Sequence, residues 1–260
     1  MIANLRVVRT AFVLDIKQQA VDLFMIFGVV IQPLLIATMA IYMLKGQDIS
    51  RGIYVVVGSG MTGLWTSLLF RGTFGINAER FMGTLEGIVA SPTSLGTVVI
   101  GKTLASVSVS LLSMLCSYAV AALVFRLPLT IAQPVPFFAS LVITMLAFIS
   151  FGLLISPLMA VNLSLTGWVN ALEYPMYILG GFLFPILLLP GWTNPVSYLL
   201  APYWAARALH LTSSGVATVP DVLLCWAMML LLGGAYIAIS YRLFTVVLRR
   251  ARVDATLSLM

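Results

Sequence analysis

Long apolar runs without charge, separated by short basic or proline-rich intervals, set the pattern of this chain. Leu23 to Leu44 carries no charged residue and is interrupted only by the Gln32-Pro33 pair. Gly52 to Phe70 forms a second run, with Gly58, Gly60 and Gly63 within it, and Thr103 to Phe125 forms a third. Leu127 to Leu172 is uncharged throughout and too long for one helix. Pro134 and Pro136 suit a helix start, which places a fourth run from about Phe137 to Leu158. Thr166 to Leu189 and Val222 to Tyr241 complete the set. At a rise of about 1.5 Å per residue, a helix needs about 20 apolar residues to cross a hydrocarbon core of about 30 Å. The pattern therefore predicts an all-α integral membrane protein of six transmembrane helices.

The intervals have characters of their own. From Ile2 to Ala20 the residues Ile2, Leu5, Val8, Phe12 and Ile16 share one helical face, Arg6, Thr10 and Lys17 lie towards another, and Arg9 interrupts the apolar face. That moderate amphipathicity fits an interfacial helix on the cytoplasmic side; a basic tail that sets topology is the alternative. Between the second and third runs, Phe81, Leu85, Ile88 and Val89 share one arc, while Glu79, Gly83 and Glu86 share the opposite one with Arg80 beside them. Asn77 is placed to cap this short helix and Ser91-Pro92-Thr93-Ser94 to break it. It fits either a docking surface for a soluble partner or a helix resting on the membrane. The third interval runs from Leu189-Pro190-Gly191-Trp192 through Asn194-Pro195 and Ala201-Pro202-Tyr203-Trp204 to Arg207 and His210. It is too apolar for a wetted loop and too broken for a span, so it predicts a re-entrant segment of short helices anchored by Trp192, Tyr203 and Trp204.

Composition agrees. The 260 residues are 61% hydrophobic and 8% charged, against about 25% charged in soluble domains. A soluble enzyme, a disordered regulator and a disulfide-framed secreted domain are thereby disfavoured. The net charge of +6 would point to nucleic acid in a soluble chain, but here the basic residues cluster between the runs and at the tail. With both termini on one side, that side holds Arg6, Arg9, Lys17, Arg71, Arg80, Lys102, Arg242, Arg249, Arg250 and Arg252. The other holds only Lys45, Arg51, Arg126 and Arg207. The positive-inside rule then predicts cytoplasmic termini, with no nucleic acid partner. No small-residue cleavage site follows the first run, so no removable signal peptide is expected. Cys116 and Cys225 fall inside apolar runs and read as small packing residues.

Little catalytic chemistry is visible. Gly96-Thr97-Val98-Val99-Ile100-Gly101-Lys102-Thr103 satisfies the phosphate-loop pattern G-x-x-x-x-G-K-[ST]. It follows Ser-Pro rather than a buried strand and leads into a membrane run, so it reads as a chance match. His210 is the single histidine and has no second metal ligand or nucleophile near it in sequence. No catalytic or metal-binding residue is assigned. Glu173, a carboxylate inside the fifth run, is the one functional candidate that cost alone singles out, with a hydrogen bond to a neighbouring helix as the plainer account. Arg71 reads as an interfacial anchor.

The segment Glu79-Arg80-x-x-Gly83-Thr84-Leu85-Glu86, followed by Ser91-Pro92-x-Ser94 and Gly101-Lys102, resembles the signature of ABC-2 type exporter permeases. Phe182-Leu183-Phe184-Pro185 with Leu189-Pro190-Gly191-Trp192 and Asn194-Pro195 is similar to that family's fifth helix and the broken extracellular segment after it. The resemblance covers nearly the whole chain and implies a single transmembrane domain over 1–260. Within it, 1–20 is the interfacial helix, 77–90 a coupling helix and 190–212 a re-entrant extracellular segment. It implies that Glu79, Arg80, Gly83, Thr84, Leu85 and Glu86 dock into an ABC ATPase. It further implies a translocation path past Glu173, Tyr174, Phe182 and Phe184, and an extracellular gate at Trp192, Pro195, Tyr203 and Trp204. The implied partners are a cytoplasmic ABC ATPase dimer, a second copy or a paralogous permease, and the lipid bilayer of the inner membrane. No cofactor is expected in this chain, because ATP and Mg would sit on the ATPase. The cargo would be hydrophobic or amphipathic, drug-like or lipid, with efflux and antibiotic resistance as possible roles. One departure is the interval Ala160 to Thr166, uncharged where many relatives carry Arg. An ATP-independent secondary transporter or a membrane scaffold is the alternative; the first would want internal repeats and more membrane carboxylates than Glu173.

Overall fold

A computed structural model of the chain describes residues 2–23, 27, 31–43, 50–81, 83, 95–123, 131–161 and 166–253. Helices and turns account for these residues, and no strand occurs among them. The elements are α1 (Ile2–Val21), α2 (Gln32–Met43), α3 (Ser50–Phe81), α4 (Leu95–Leu123), α5 (Pro134–Val161) and α6 (Thr166–Leu179). Two 3-10 turns follow, Ile186–Leu188 and Gly191–Thr193, then α7 (Asn194–Tyr198), α8 (Ala201–Ser214) and α9 (Val219–Val253). Among the described residues, three stretches are long and apolar enough to cross a membrane: Ile100–Ala119 in α4, Pro134–Ile155 in α5 and Val219–Leu243 in α9. A shorter apolar stretch, Ile53–Leu68, lies in α3.

Helix α3 stands at the centre, packed against α2, α4, α5, α6 and α8, while α5 packs against α8 and α9. Trp65 of α3 is the hub of the core. Its ring meets Phe148 edge-on at 5.2 Å, Phe151 at 5.1 Å and Phe182 at 6.4 Å. Such crossed aromatic pairs contribute beyond their buried area. Along α9 the buried positions Val222, Cys225, Met229, Leu232, Tyr236 and Ser240 recur at helical spacing. Ser240 donates to the Leu153 carbonyl at 2.6 Å, and Trp226 Nε1 donates to Ser140 at 2.8 Å, so α9 is fixed to α5 by polar as well as apolar contacts. The opposite faces carry Leu112, Leu115, Phe138, Val142, Leu146, Leu230, Leu231 and Ile237 exposed. An apolar surface of that extent is what lipid, not water, covers.

The structure corrects two sequence expectations. First, Asn77 does not cap a new helix, because α3 continues without a break to Phe81. The intervening residues hold no proline, and Gly72 and Gly75 cost propensity without removing a hydrogen bond. The chain turns only after Phe81, where Gly83 takes a left-handed φ of +66°. Second, the fifth helix does not reach Leu189 but stops at Leu179. Its end is a Schellman motif: Gly181 has φ +66°, Phe182 N–H donates to the Tyr177 carbonyl at 3.2 Å, and Gly181 N–H donates to Ile178 at 3.1 Å. The Phe182 and Tyr177 rings, 5.8 Å apart, supply the apolar contact that accompanies this motif. Helix α1 turns Ala11, Asp15 and Gln19 inward.

Candidate functional site

The carboxylate of Glu173 lies at a junction of three helices. It is 7% exposed. Its Oε1 accepts hydrogen bonds from Tyr177 Oη on the same helix at 2.5 Å and from Thr66 Oγ1 of α3 at 2.6 Å. Gln32 Nε2 of α2 approaches the same oxygen at 3.4 Å and Tyr177 Oη at 3.5 Å. Thr66 and Tyr177 are themselves 2.7 Å apart. A buried carboxylate is costly unless its lone pairs are met. Here three donors from three helices meet one oxygen, so the group holds α2, α3 and α6 together. Thr66 also reaches the Thr62 carbonyl at 2.9 Å, a bond its single proton can make only by releasing Glu173.

The turn after α6 is held with comparable care. Gly58 of α3 faces it so closely that a Cβ there would lie 2.0 Å from the Phe182 carbonyl oxygen. That same oxygen lies 3.0 Å from His210 Nε2 on α8, and because its partner is a carbonyl, Nε2 carries the proton. The His210 ring stacks on Tyr54 with centroids 3.5 Å apart and planes 6° from parallel, and Tyr54 Oη donates to the Gly181 carbonyl at 3.3 Å. Nδ1 of His210 is buried with no hydrogen-bond partner among the described residues. His210 is therefore a fastener between α3, α8 and the turn.

From Phe182 to Leu200 the chain folds back in short pieces. Pro185, Pro190 and Pro195 each remove an amide that a longer helix would need. Trp204 Nε1 donates to the Tyr198 carbonyl at 2.9 Å, and the Tyr198, Tyr203 and Trp204 rings lie within 6.0 Å of one another. Tyr236 of α9 donates to the Leu199 carbonyl at 2.8 Å and accepts from Ala201 N–H at 3.2 Å, which fixes the start of α8. A crevice of about 440 Å³ opens between this segment and α3, bordered by Tyr54, Gly181, Ile186, Tyr203, Arg207 and His210. A second cavity, about 510 Å³ and almost wholly apolar, lies among Val57, Met114, Tyr118, Phe137, Leu141 and Met145 of α3, α4 and α5.

The sequence candidates fall as follows. Glu173 and Phe182 are buried, Phe184 is half-buried and Tyr174 is exposed. Of the gate residues, Tyr203 and Trp204 are buried, whereas Trp192 and Pro195 are exposed. The backbones of Glu79 and Arg80 belong to the last turns of α3, their side chains lying outside the described part, and Gly83 forms the turn after it. Thr84, Leu85 and Glu86 lie outside the described residues. The Gly96–Thr103 octet is helical throughout, so most of its amides are spent in the α4 ladder rather than left free to cradle phosphate. Its Gly101 packs against α1, where a Cβ would come 2.6 Å from the Val8 carbonyl oxygen. No cluster of three or more His, Cys, Asp or Glu occurs among the described residues. Thr66 and Tyr54 went unmarked in the sequence, and Gln32 and Gly58 were noted only as interruptions of apolar runs, since each acts through a partner far along the chain. Tyr177 had one signal, its i,i+4 spacing from Glu173.

Long apolar helices, lipid-type outer faces and polar groups gathered inside define an integral membrane protein. Residues 7–212 match the profile of the ABC-2 type transporter family, and the chain belongs to that family. A comparison with curated proteins found no match.

Proposed function

We propose that the chain is the membrane-spanning subunit of an ATP-driven exporter and forms half of a translocation path for a hydrophobic or amphipathic cargo. The observation that carries this reading is the family match over residues 7–212, because ABC-2 permeases work with an ABC ATPase. In this reading α2, α3, α4, α5, α6 and α9 each cross the bilayer, within a single domain and with both termini in the cytoplasm. Helix α6 has 14 residues, a rise of about 21 Å against a hydrocarbon core of about 30 Å. The folded-back segment 180–214 fills the remaining depth on the outer side. Irregular backbone at such depth is tolerated where protein covers it, and the bonds from His210, Tyr54 and Tyr236 supply that cover.

The segment 77–90 receives the ATPase, with Glu79, Arg80 and Glu86 as its charged contacts and Gly83, Thr84 and Leu85 as further contacts. ATP and Mg stay on the partner. Two permease subunits, identical or paralogous, face each other, and closure of the ATPase dimer tilts the long α3. Because α3 carries Thr66, Tyr54 and Gly58, its movement strains the Glu173 junction and the turn beneath the gate together. Cargo passes along Glu173, Tyr174, Phe182 and Phe184 and leaves past Trp192, Pro195, Tyr203 and Trp204. Nucleotide drives the cycle only through its different affinity for the two states. The test replaces Glu79, Arg80 and Glu86 together by Ala in the permease–ATPase complex. Stimulated ATP hydrolysis is expected to disappear while membrane insertion stays intact; normal stimulation would refute the docking role.

A further inference from the structure

Helix α1 presents an unusual outer face. Its inward side is Ala11, Asp15 and Gln19, with Asp15 only 1% exposed and bonded by Gln19 Nε2 at 2.6 Å. Against α4 the fit is close, Gly101 lying under Val8 and Ala11. The outward side carries Leu5 at 64% exposure and Val21 at 81%, together with exposed Val13 and Leu14. Arg6, Arg9 and Lys17 are exposed on the same side. At about 100° per residue, Arg6, Val13 and Lys17 fall within about 40° of arc, with Arg9 about 60° away. Asp15, the single acid of α1, points the opposite way, and no ion pair to Arg6, Arg9 or Lys17 forms among the described residues.

Water would leave the four apolar side chains uncovered, and hydrocarbon would strand the three cations. Only the headgroup–acyl boundary suits both, with basic stems lying over apolar carbon and charged ends reaching out. A row of cations without acids of its own complements anionic headgroups and not zwitterionic ones. We propose that the outward face of α1 binds anionic phospholipids, with Arg6, Arg9 and Lys17 on headgroup oxygens and Leu5, Val13, Leu14 and Val21 among the first acyl carbons. This rests on the membrane reading but not on transport.

The test places the full chain in phosphatidylcholine vesicles and compares spin-labelled phosphatidylglycerol with spin-labelled phosphatidylcholine at its surface. Phosphatidylglycerol is expected to be preferred, with roughly a fivefold increment for each basic residue at low salt. The preference is expected to shrink as ionic strength rises. R6Q/R9Q/K17Q should lose it. R6K/R9K should keep it, and so should R242Q, which removes an exposed arginine of α9. The single variants R6Q, R9Q and K17Q, each losing one increment, carry the test if the triple variant does not fold. Equal association of the two lipids with the wild-type chain, or a preference unchanged in all the Gln variants, would overturn the proposal and leave this face to a protein partner. No ATP or ATPase enters the measurement, so its failure is distinct from failure of the exporter reading.

Discussion

Replacing Gly58 by Ala tests how firmly the turn after α6 is held on α3. The new Cβ would stand 2.0 Å from the Phe182 carbonyl oxygen and 2.8 Å from its carbon, where ordinary contact begins at 3.4 Å. More than an ångström must therefore open between α3 and the turn. The obstacle is backbone, so no rotamer change relieves it. Opening the gap also stretches the 3.0 Å bond between His210 Nε2 and that carbonyl, a loss of about 1 kcal/mol. Overpacking adds about 1–3 kcal/mol, while the better helix propensity of Ala returns about 0.5–1 kcal/mol. The expected net destabilisation is about 1–3 kcal/mol, or a fall in Tm of about 2–12 °C for a chain of this size. Gly234→Ala in α9 is the matched control, because a Cβ there meets nothing within 4 Å. Its Tm should hold or rise slightly. Thermal unfolding of the detergent-solubilised chain, followed by tryptophan fluorescence, reads both. Equal melting of the two variants would refute the close approach of α3 to the turn.

Three further outcomes are expected. Glu173→Ala should lower stability by about 2–4 kcal/mol, because Tyr177 and Thr66 are left without their shared acceptor. Tyr177→Phe should cost about 1 kcal/mol, and its effect should not add to that of Thr66→Val. Additive losses in a double-mutant cycle of thermal melts would show that the two hydroxyls act separately. Lys102→Ala should leave nucleotide binding by the permease–ATPase complex unchanged, as a helical octet requires; lost binding in an assembled complex would make the octet a real nucleotide site.

Where the chain's own chemistry ends an element, the sequence could be read. Pro134 starts α5 as expected, and the prolines from 185 to 202 mark the broken segment. The apolar run at 222–241 forms the heart of α9, whose start is reinforced by Thr218 accepting from Asp221 N–H at 3.4 Å. Legibility failed where a partner element decides. Helix α3 passes through Asn77 because a good capping residue caps only if the helix before it has already ended. Gly180-Gly181 ends α6 ten residues early because Phe182 finds a seat not only against Tyr177 but against Trp65 and Gly58, which lie far away in sequence. The burial of Asp15 reflects the groove that α4 offers, which periodicity in α1 does not contain. Cost alone made Glu173 conspicuous, yet its three donors come from three helices and carry no common spacing.

The most direct measurement is a mild-detergent purification of the tagged full chain from its native membranes, with mass spectrometry of the eluate and an ATPase assay on it. Expected is a stoichiometric ABC ATPase subunit and vanadate-sensitive ATP hydrolysis. A folded chain that elutes without any ATPase, and without hydrolysis, would contradict the exporter reading.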